Sequence, residues 1–241
     1  MSQMVKTKWI VVSTAVIVPA FLIALALFAQ AQAGTGTPAG TVEDKPVTAA
    51  PKMIELPAPV LDGKMSLEKV LATRRSSHSI TGKALTNEQL GQLAWSGQGI
   101  TEKTRGLRTA PSARASYPIK IYFATPTGLY LYVPQKHAFE VISDKDVRAQ
   151  VSGQVAKASC GIIIAGNTGK NTTAAYGSRA DKWTILEAGH IAENLLLEAT
   201  AMGLTNLPIG GFANVTEMGK LCNLPENMEP IYHVAIGNAA Q

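Results

Sequence analysis

The chain has 241 residues, 46% of them hydrophobic and 16% charged, with 22 Lys and Arg against 17 Asp and Glu for a formal net charge of +5. That length supports one sizeable core and at most two domains. So mild a charge, without a clustered basic stripe or a recognition motif, argues against a nucleic-acid binder.

The first segment stands apart from the rest. Lys6 and Lys8 precede an apolar run from Trp9 to Phe28, and Ala31-Gln32-Ala33 follows as a small-residue cleavage site. Residues 1–33 therefore read as a signal peptide or, given a run close to bilayer-spanning length, an uncleaved signal anchor. Either reading puts the remainder outside the cytoplasm, tied to the membrane only through this segment, because the positive flank stays inside. Residues 34–59 turn to Gly, Thr, Pro and Ala and read as a flexible tether. The globular domain is expected over 60–241.

Within that domain, Ser66 is an N-cap for a short helix to Thr73. Thr86 with Gln89 forms a T-x-x-Q capping box for a helix to about Ser96. Strands are predicted over Ile119–Thr125, Leu129–Val133 and Cys160–Ala165, the first two joined by a hairpin at Thr127-Gly128. The longest helical pattern runs from Thr184 to Met202, with Ile185, Ala188, Ile191, Ala192, Leu195, Leu196, Ala199 and Met202 at three-and-four spacing and Gly203 as its stop. A short strand over Asn206–Ile209, a helix over Val215–Cys222 and a last strand over Ile231–Ile236 complete an α+β pattern without βαβ alternation.

Cys160 and Cys222 are the only cysteines, too few for a disulfide scaffold. They either pair or remain two buried thiols. No C-x-x-C pair or His-rich cluster offers a metal site.

Two familiar chemistries fail on spacing. Gly166-Asn167-Thr168-Gly169-Lys170-Asn171 has two residues between its glycines and no hydroxyl after the lysine, so it is a polar loop and not a phosphate-binding P-loop. Ser112, His190 and Asp181 could make a hydrolase triad, but no G-x-S-x-G elbow frames Ser112, and His190 lies in the middle of the long helix.

Three other segments are more informative. Arg74-Arg75-Ser76-Ser77-His78 sets two guanidinium forks beside hydroxyls, a donor set suited to phosphate. Pro111-Ser112-Ala113-Arg114 opens a rigid, small-residue stretch before Tyr117-Pro118, against which a flat ligand could lie. Pro208-Ile209-Gly210-Gly211-Phe212 follows a strand and offers close backbone approach with free amides.

Taken in this order, and with Leu90–Ile100 and Glu187–Leu195 as supporting matches, these segments resemble the FMN-dependent nitroreductase family, and within it the SagB-type dehydrogenase branch. The likeness spans roughly Ser66 to Gly237. It implies a nitroreductase-like fold, a central, mostly antiparallel sheet flanked by helices, in a homodimer with flavin sites at the interface. By that likeness Arg74, Arg75 and Ser76 hold the FMN phosphate and the pyrimidine edge, and His78 stands where the family usually has Arg or Lys. Pro111, Ser112 and Ala113 approach the ring from the partner subunit, with Arg114 in place of the branch's usual glycine. Ile209, Gly210 and Gly211 offer an amide to flavin N5. The basic residue that often follows the family's last strand is missing, since Gly237 leads into Asn238-Ala239-Ala240-Gln241.

The implied activity is ping-pong hydride or electron transfer to or from a small organic or peptide substrate of nitro, quinone or azoline type. FMN is the cofactor and NAD(P)H a candidate reductant that an exported domain would seldom meet. Two other readings accompany it: a flavin-binding electron-transfer or sensor protein without turnover, and a cofactor-free interaction module.

Overall fold

In a computed structural model, residues 50–167 and 179–239 are described. The elements run β1 (Met53–Glu55), α1 (Leu67–Thr73), β2 (Ile80–Thr81), α2 (Asn87–Gln98), β3 (Ile100–Glu102), β4 (Leu107–Arg108), β5 (Ile119–Thr125), β6 (Gly128–Val133), β7 (Ala138–Ser143), α3 (Arg148–Val151), β8 (Cys160–Gly166), α4 (Ala180–Ala201), β9 (Thr205–Ile209), α5 (Val215–Leu221) and β10 (Glu229–Ala239), with 3-10 turns at Ala113–Ala115 and Val155–Lys157.

One antiparallel sheet organises the domain, in the order β1-β7-β6-β5-β8-β10-β2, while β9 also pairs with β10. β3 and β4 form a separate small ribbon. Alternation along the strands sends side chains to opposite faces. Ile121, Phe123, Ile162, Ile164, Val234 and Ile236 meet Leu93 of α2 and Ile191 and Leu195 of α4 on one side. Tyr122, Ala124, Ile163, Ala165 and Ala235 meet Val151, Val155 and Met218 on the other. Helices thus cover both faces of a buried sheet, as expected for the α+β class.

Local signals hold where they are chemical. The Thr86 hydroxyl accepts from the Gln89 N–H at 3.3 Å and the Gln89 side chain accepts from the Thr86 N–H at 3.0 Å, the reciprocal pair of a capping box. The Ser66 hydroxyl accepts from the Lys69 N–H at 3.3 Å. Gly203 follows α4 at φ +72°, a left-handed conformation that favours glycine.

Three expectations change. The stretch read as tether contributes β1, whose Met53–Glu55 pair with Ala138–Glu140 of β7, so the sheet starts before residue 60. β7 itself was not anticipated. In α4 the buried stripe includes Thr184, Glu187, Ala188, Ile191, Ala192, Leu195, Leu196 and Ala199, whereas Ile185 is 54% exposed. Glu187, and not Ile185, therefore occupies the core-facing position at the start of the helix. Cys160 and Cys222 are both buried and free, which resolves the pairing alternative in favour of separate thiols. Burial pushes both thiols up, Cys222 to about 12, so neither is a nucleophile at neutral pH. The 1–33 segment and most of the Gly166–Thr172 loop lie outside the described residues, and no described helix is long and apolar enough to cross a membrane.

Candidate functional site

The Arg74–His78 stretch leaves α1 and runs directly against β9. Arg74 is the C-cap of α1, its N–H donating to the Val70 carbonyl at 2.8 Å. Ser76 then forms an isolated parallel bridge with Asn206, and the Ser77 N–H donates to the Asn206 carbonyl at 2.9 Å. β9 continues from Asn206 through Pro208 to Ile209 and opens into Gly210 and Gly211. The arginine turn and the Gly-Gly turn, 134 residues apart in the chain, are thereby joined to the same strand.

The two guanidinium groups at this junction make no ion pair among the described residues. Arg75 donates from Nη1 to the Arg74 carbonyl at 2.7 Å, and among the described residues neither guanidinium has a carboxylate oxygen within 4 Å. Gly210 and Gly211 are exposed, and a Cβ built on either meets nothing within 4 Å, so their backbone faces open space. Two guanidinium groups without a carboxylate partner among the described residues suit an anionic ligand. His78 is exposed on the turn into β2, stabilised by the Ser79 N–H donating to the Ser77 hydroxyl at 3.2 Å. At the far end of β10, Asn238 and Ala239 pair with Thr81 and Ile80, and no basic side chain occupies those positions.

Asn206 is the residue that sequence reasoning missed here. It is 1% exposed, and its Nδ2 donates to the Leu196 carbonyl at 3.3 Å and the Thr200 hydroxyl at 3.0 Å. Asn206 therefore ties β9 to α4 through its side-chain amide and to the arginine turn through its main-chain carbonyl. An asparagine at the start of a short apolar strand was the only visible signal.

Pro111, Ser112, Ala113 and Arg114 lie elsewhere. Ser112 faces Glu187 near the start of α4, whereas Asn206 binds Thr200 near its end. Thirteen helical residues separate the two places, about 20 Å at 1.5 Å per residue. One chain does not bring these residues to the arginine turn. The segment is also unusually shaped: Arg114, Ala115 and Tyr117 have φ of 55°, 52° and 47°, three left-handed non-glycine residues within four. The Ser112 hydroxyl accepts from the Tyr117 N–H at 2.9 Å, and the Tyr117 hydroxyl accepts from the Arg108 N–H at 3.0 Å. The Arg108 guanidinium lies over the Tyr117 ring at 4.4 Å and donates to Gln98 Oε1 at 2.6 Å. Strain of this kind persists only where surrounding contacts impose it.

No hydrolase triad forms. Asp181 and His190 are both exposed on α4 and nine residues apart, about 14 Å along the axis.

A model of the Nitroreductase family matches residues 71–238, a span that holds all three segments. A protein of Methanocaldococcus jannaschii that carries the nitroreductase name is 32% identical over 182 residues, covering 70% of this chain and 91% of its own. A crystal structure from Ralstonia eutropha, also of a protein named as a nitroreductase, is 30% identical with a TM-score of 0.72 and covers 78% of this chain and 90% of that one. The Escherichia coli microcin synthetase complex McbBCD, 18% identical with a TM-score of 0.58 over 83% of this chain and 80% of that one, shares the fold alone. Fold, motif order and matched span agree: the chain belongs to the nitroreductase family of oxidoreductases.

Proposed function

We propose that this chain is an exported FMN-dependent oxidoreductase of the SagB-type branch, acting as a homodimer on a small organic or peptide substrate. The observation that supports the reading most is the Ser76–Asn206 bridge, which joins the turn after Arg74-Arg75 to the strand that leads into Gly210-Gly211. Bound there, FMN supplies the hydride or electron chemistry. Arg74 and Arg75 hold its phosphate and pyrimidine edge by charge-assisted hydrogen bonds, and Ser76 adds a hydroxyl. The Gly210 and Gly211 backbone approaches the ring without a side chain in the way. His78 and the uncharged end of β10 leave the phosphate grip to the two arginines.

The dimer is supported by two features. Pro111–Arg114 lie about 20 Å along α4 from the arginine turn, so a second protomer is needed to complete a site containing both. On the outer face of α4, Ile185 and Leu186 are 54% and 51% exposed, and on α1 Leu67 and Leu71 are 59% and 55% exposed. Exposed large apolar side chains on two helices suit a subunit interface. The SagB-type assignment rests on the motif order in the sequence, and export on the basic-then-apolar N-terminus. Export favours an electron donor other than NAD(P)H.

Purified protein should be yellow with oxidised-flavin absorbance, and the Arg74→Ala, Arg75→Ala double variant should be colourless at equal fold content. A colourless wild type that also takes up no added FMN would sink the cofactor reading. Fast flavin reduction by NAD(P)H with low-micromolar affinity would sink the donor part alone.

A further inference from the structure

β5 and β6 pair from Tyr122–Leu131 to Thr125–Gly128, and there the ladder stops, although β5 begins earlier at Ile119 and β6 runs on to Val133. β8 still holds β5 and β7 still holds β6 on their other edges, so the two strands part without either leaving the sheet. A cleft of about 250 Å³ opens where they part, floored by Ile119, Leu131 and Val133 and bounded by Tyr117 and Tyr132. A concave, mostly apolar space with a fixed polar group is the usual form of a small-molecule site.

The polar group is Arg108, which lines the same cleft. Its Nη1 donates to Gln98 Oε1 at 2.6 Å, its guanidinium lies 4.4 Å from the centre of the Tyr117 ring, and its backbone N–H donates to the Tyr117 hydroxyl at 3.0 Å. These contacts hold the guanidinium in place, and none of them supplies a negative charge. Arg108 Nε is buried without a hydrogen bond, so the chain does not satisfy the whole group. Among the described residues no carboxylate oxygen lies within 4 Å of it. Glu187, the acidic side chain that acts on it electrostatically, is 2% exposed and does not line the cleft. Burial pushes that carboxyl up to about 7, so below neutrality it is mostly uncharged. Burial also weighs against the charge of Arg108 itself. A half-buried cation of this kind is costly until an anion pairs with it, and the space beside this one is the cleft.

We propose that the cleft binds a small apolar monocarboxylic acid, its carboxylate taken by Arg108 and its body laid on the floor where β5 and β6 part. One guanidinium balances one negative charge, which fits a carboxylate and leaves a phosphate dianion half-compensated. The volume lies below that of a drug-sized pocket and limits the body to a single ring or a short branched chain. The site uses none of the residues of the arginine turn and does not depend on where a flavin binds.

The test is fluorine NMR of para-fluorobenzoate titrated with the full chain at pH 6, with para-fluorobenzamide as the uncharged isostere. Wild type should bind the acid about tenfold more tightly than the amide, the scale of one hydrogen bond to a charged group. Arg108→Met, which keeps an apolar stem in place, should lose that preference, and the Arg74→Ala, Arg75→Ala double variant should keep it. The proposal is overturned by equal affinity for acid and amide in wild type, or by no binding of the acid at millimolar concentration. A preference that survives in Arg108→Met or vanishes in the double variant overturns it as well. If Arg108→Met does not fold, hydrogen exchange of wild type with para-fluorobenzoate decides. Slower exchange in 117–121 and 131–135 supports the cleft, and protection confined to 74–78 and 209–212, or none, overturns it.

Discussion

Two buried titratable groups should give this protein a misleadingly flat stability profile, and removing either one should expose a slope. Glu187 is lifted from an ordinary value of 4.5 to about 7 by burial, and His233 is lowered from 6.5 to about 4 by burial. His233 is 0% exposed, with Nε2 3.0 Å from the Ser152 hydroxyl and the ring 4.6 Å from that of Phe212. An acid with a raised folded value contributes stability that is fully present below pH 4.5 and is lost as pH rises through 7. A histidine with a depressed folded value does the reverse: stability is full above pH 6.5 and falls as pH drops through 4. Each shift spans about 2.5 units, or about 3 kcal/mol at about 1.4 kcal/mol per unit. Between pH 4.5 and 6.5 the two slopes oppose and nearly cancel. Urea unfolding of the full chain at pH 4.5, 5.5, 6.5 and 7.5 should thus show little trend from these groups in wild type. Glu187→Gln should become progressively more stable than wild type as pH rises, the gap approaching about 3 kcal/mol by pH 8. His233→Gln should show the opposite trend as pH falls. A gap between Glu187→Gln and wild type that stays constant with pH would refute the reasoning, whatever its size.

Asn206→Ala should cost about 1–3 kcal/mol in urea unfolding, because it removes the two buried hydrogen bonds from Asn206 Nδ2 that join β9 to α4. FMN binding in a fluorescence titration should change little, because the arginine turn is held by the Asn206 main-chain carbonyl, which alanine keeps. Thr86→Ala should cost about 1 kcal/mol by loss of the capping box and leave flavin binding unchanged. Arg74→Ala or Arg75→Ala singly should weaken FMN binding by about tenfold to a hundredfold each, on the scale of a lost charge-assisted hydrogen bond, and more steeply at low salt.

Much of this arrangement was legible from the chain. Capping at Ser66 and Thr86 is local chemistry and appears as the sequence dictates. The α4 pattern was visible because its aliphatic residues repeat over five turns, and the paired strands Ile119–Thr125 and Gly128–Val133 because a turn links neighbours. The misses have a common cause in long-range partners. Met53-Ile54-Glu55 looks like part of a Pro-rich tether until β7 is available to pair with it. Glu187 reads as solvent-facing because carboxylates usually are, and only the Gln98, Arg108 and Ser112 environment makes it a core residue. The segments at Arg74–His78 and Ile209–Gly211 could be ordered along the sequence, but their meeting on β9 depends on Asn206, whose role is entirely tertiary.

β10 carries a consequence for how the protein is made. It is hydrogen-bonded to β8 along one edge and to β9 and then β2 along the other. Among the described residues, β9 and β2 have no other strand partner in the sheet. Until β10 has been synthesised, the strand that carries Gly210-Gly211 has no ladder to join, and the arginine turn has no fixed strand to bridge. On the function proposed above, cofactor capture would be a late event in the life of the nascent chain, coupled to contacts that span more than 150 residues. Ribosome-stalled chains ending before Glu229 should not quench flavin fluorescence, while chains with β10 fully emerged should.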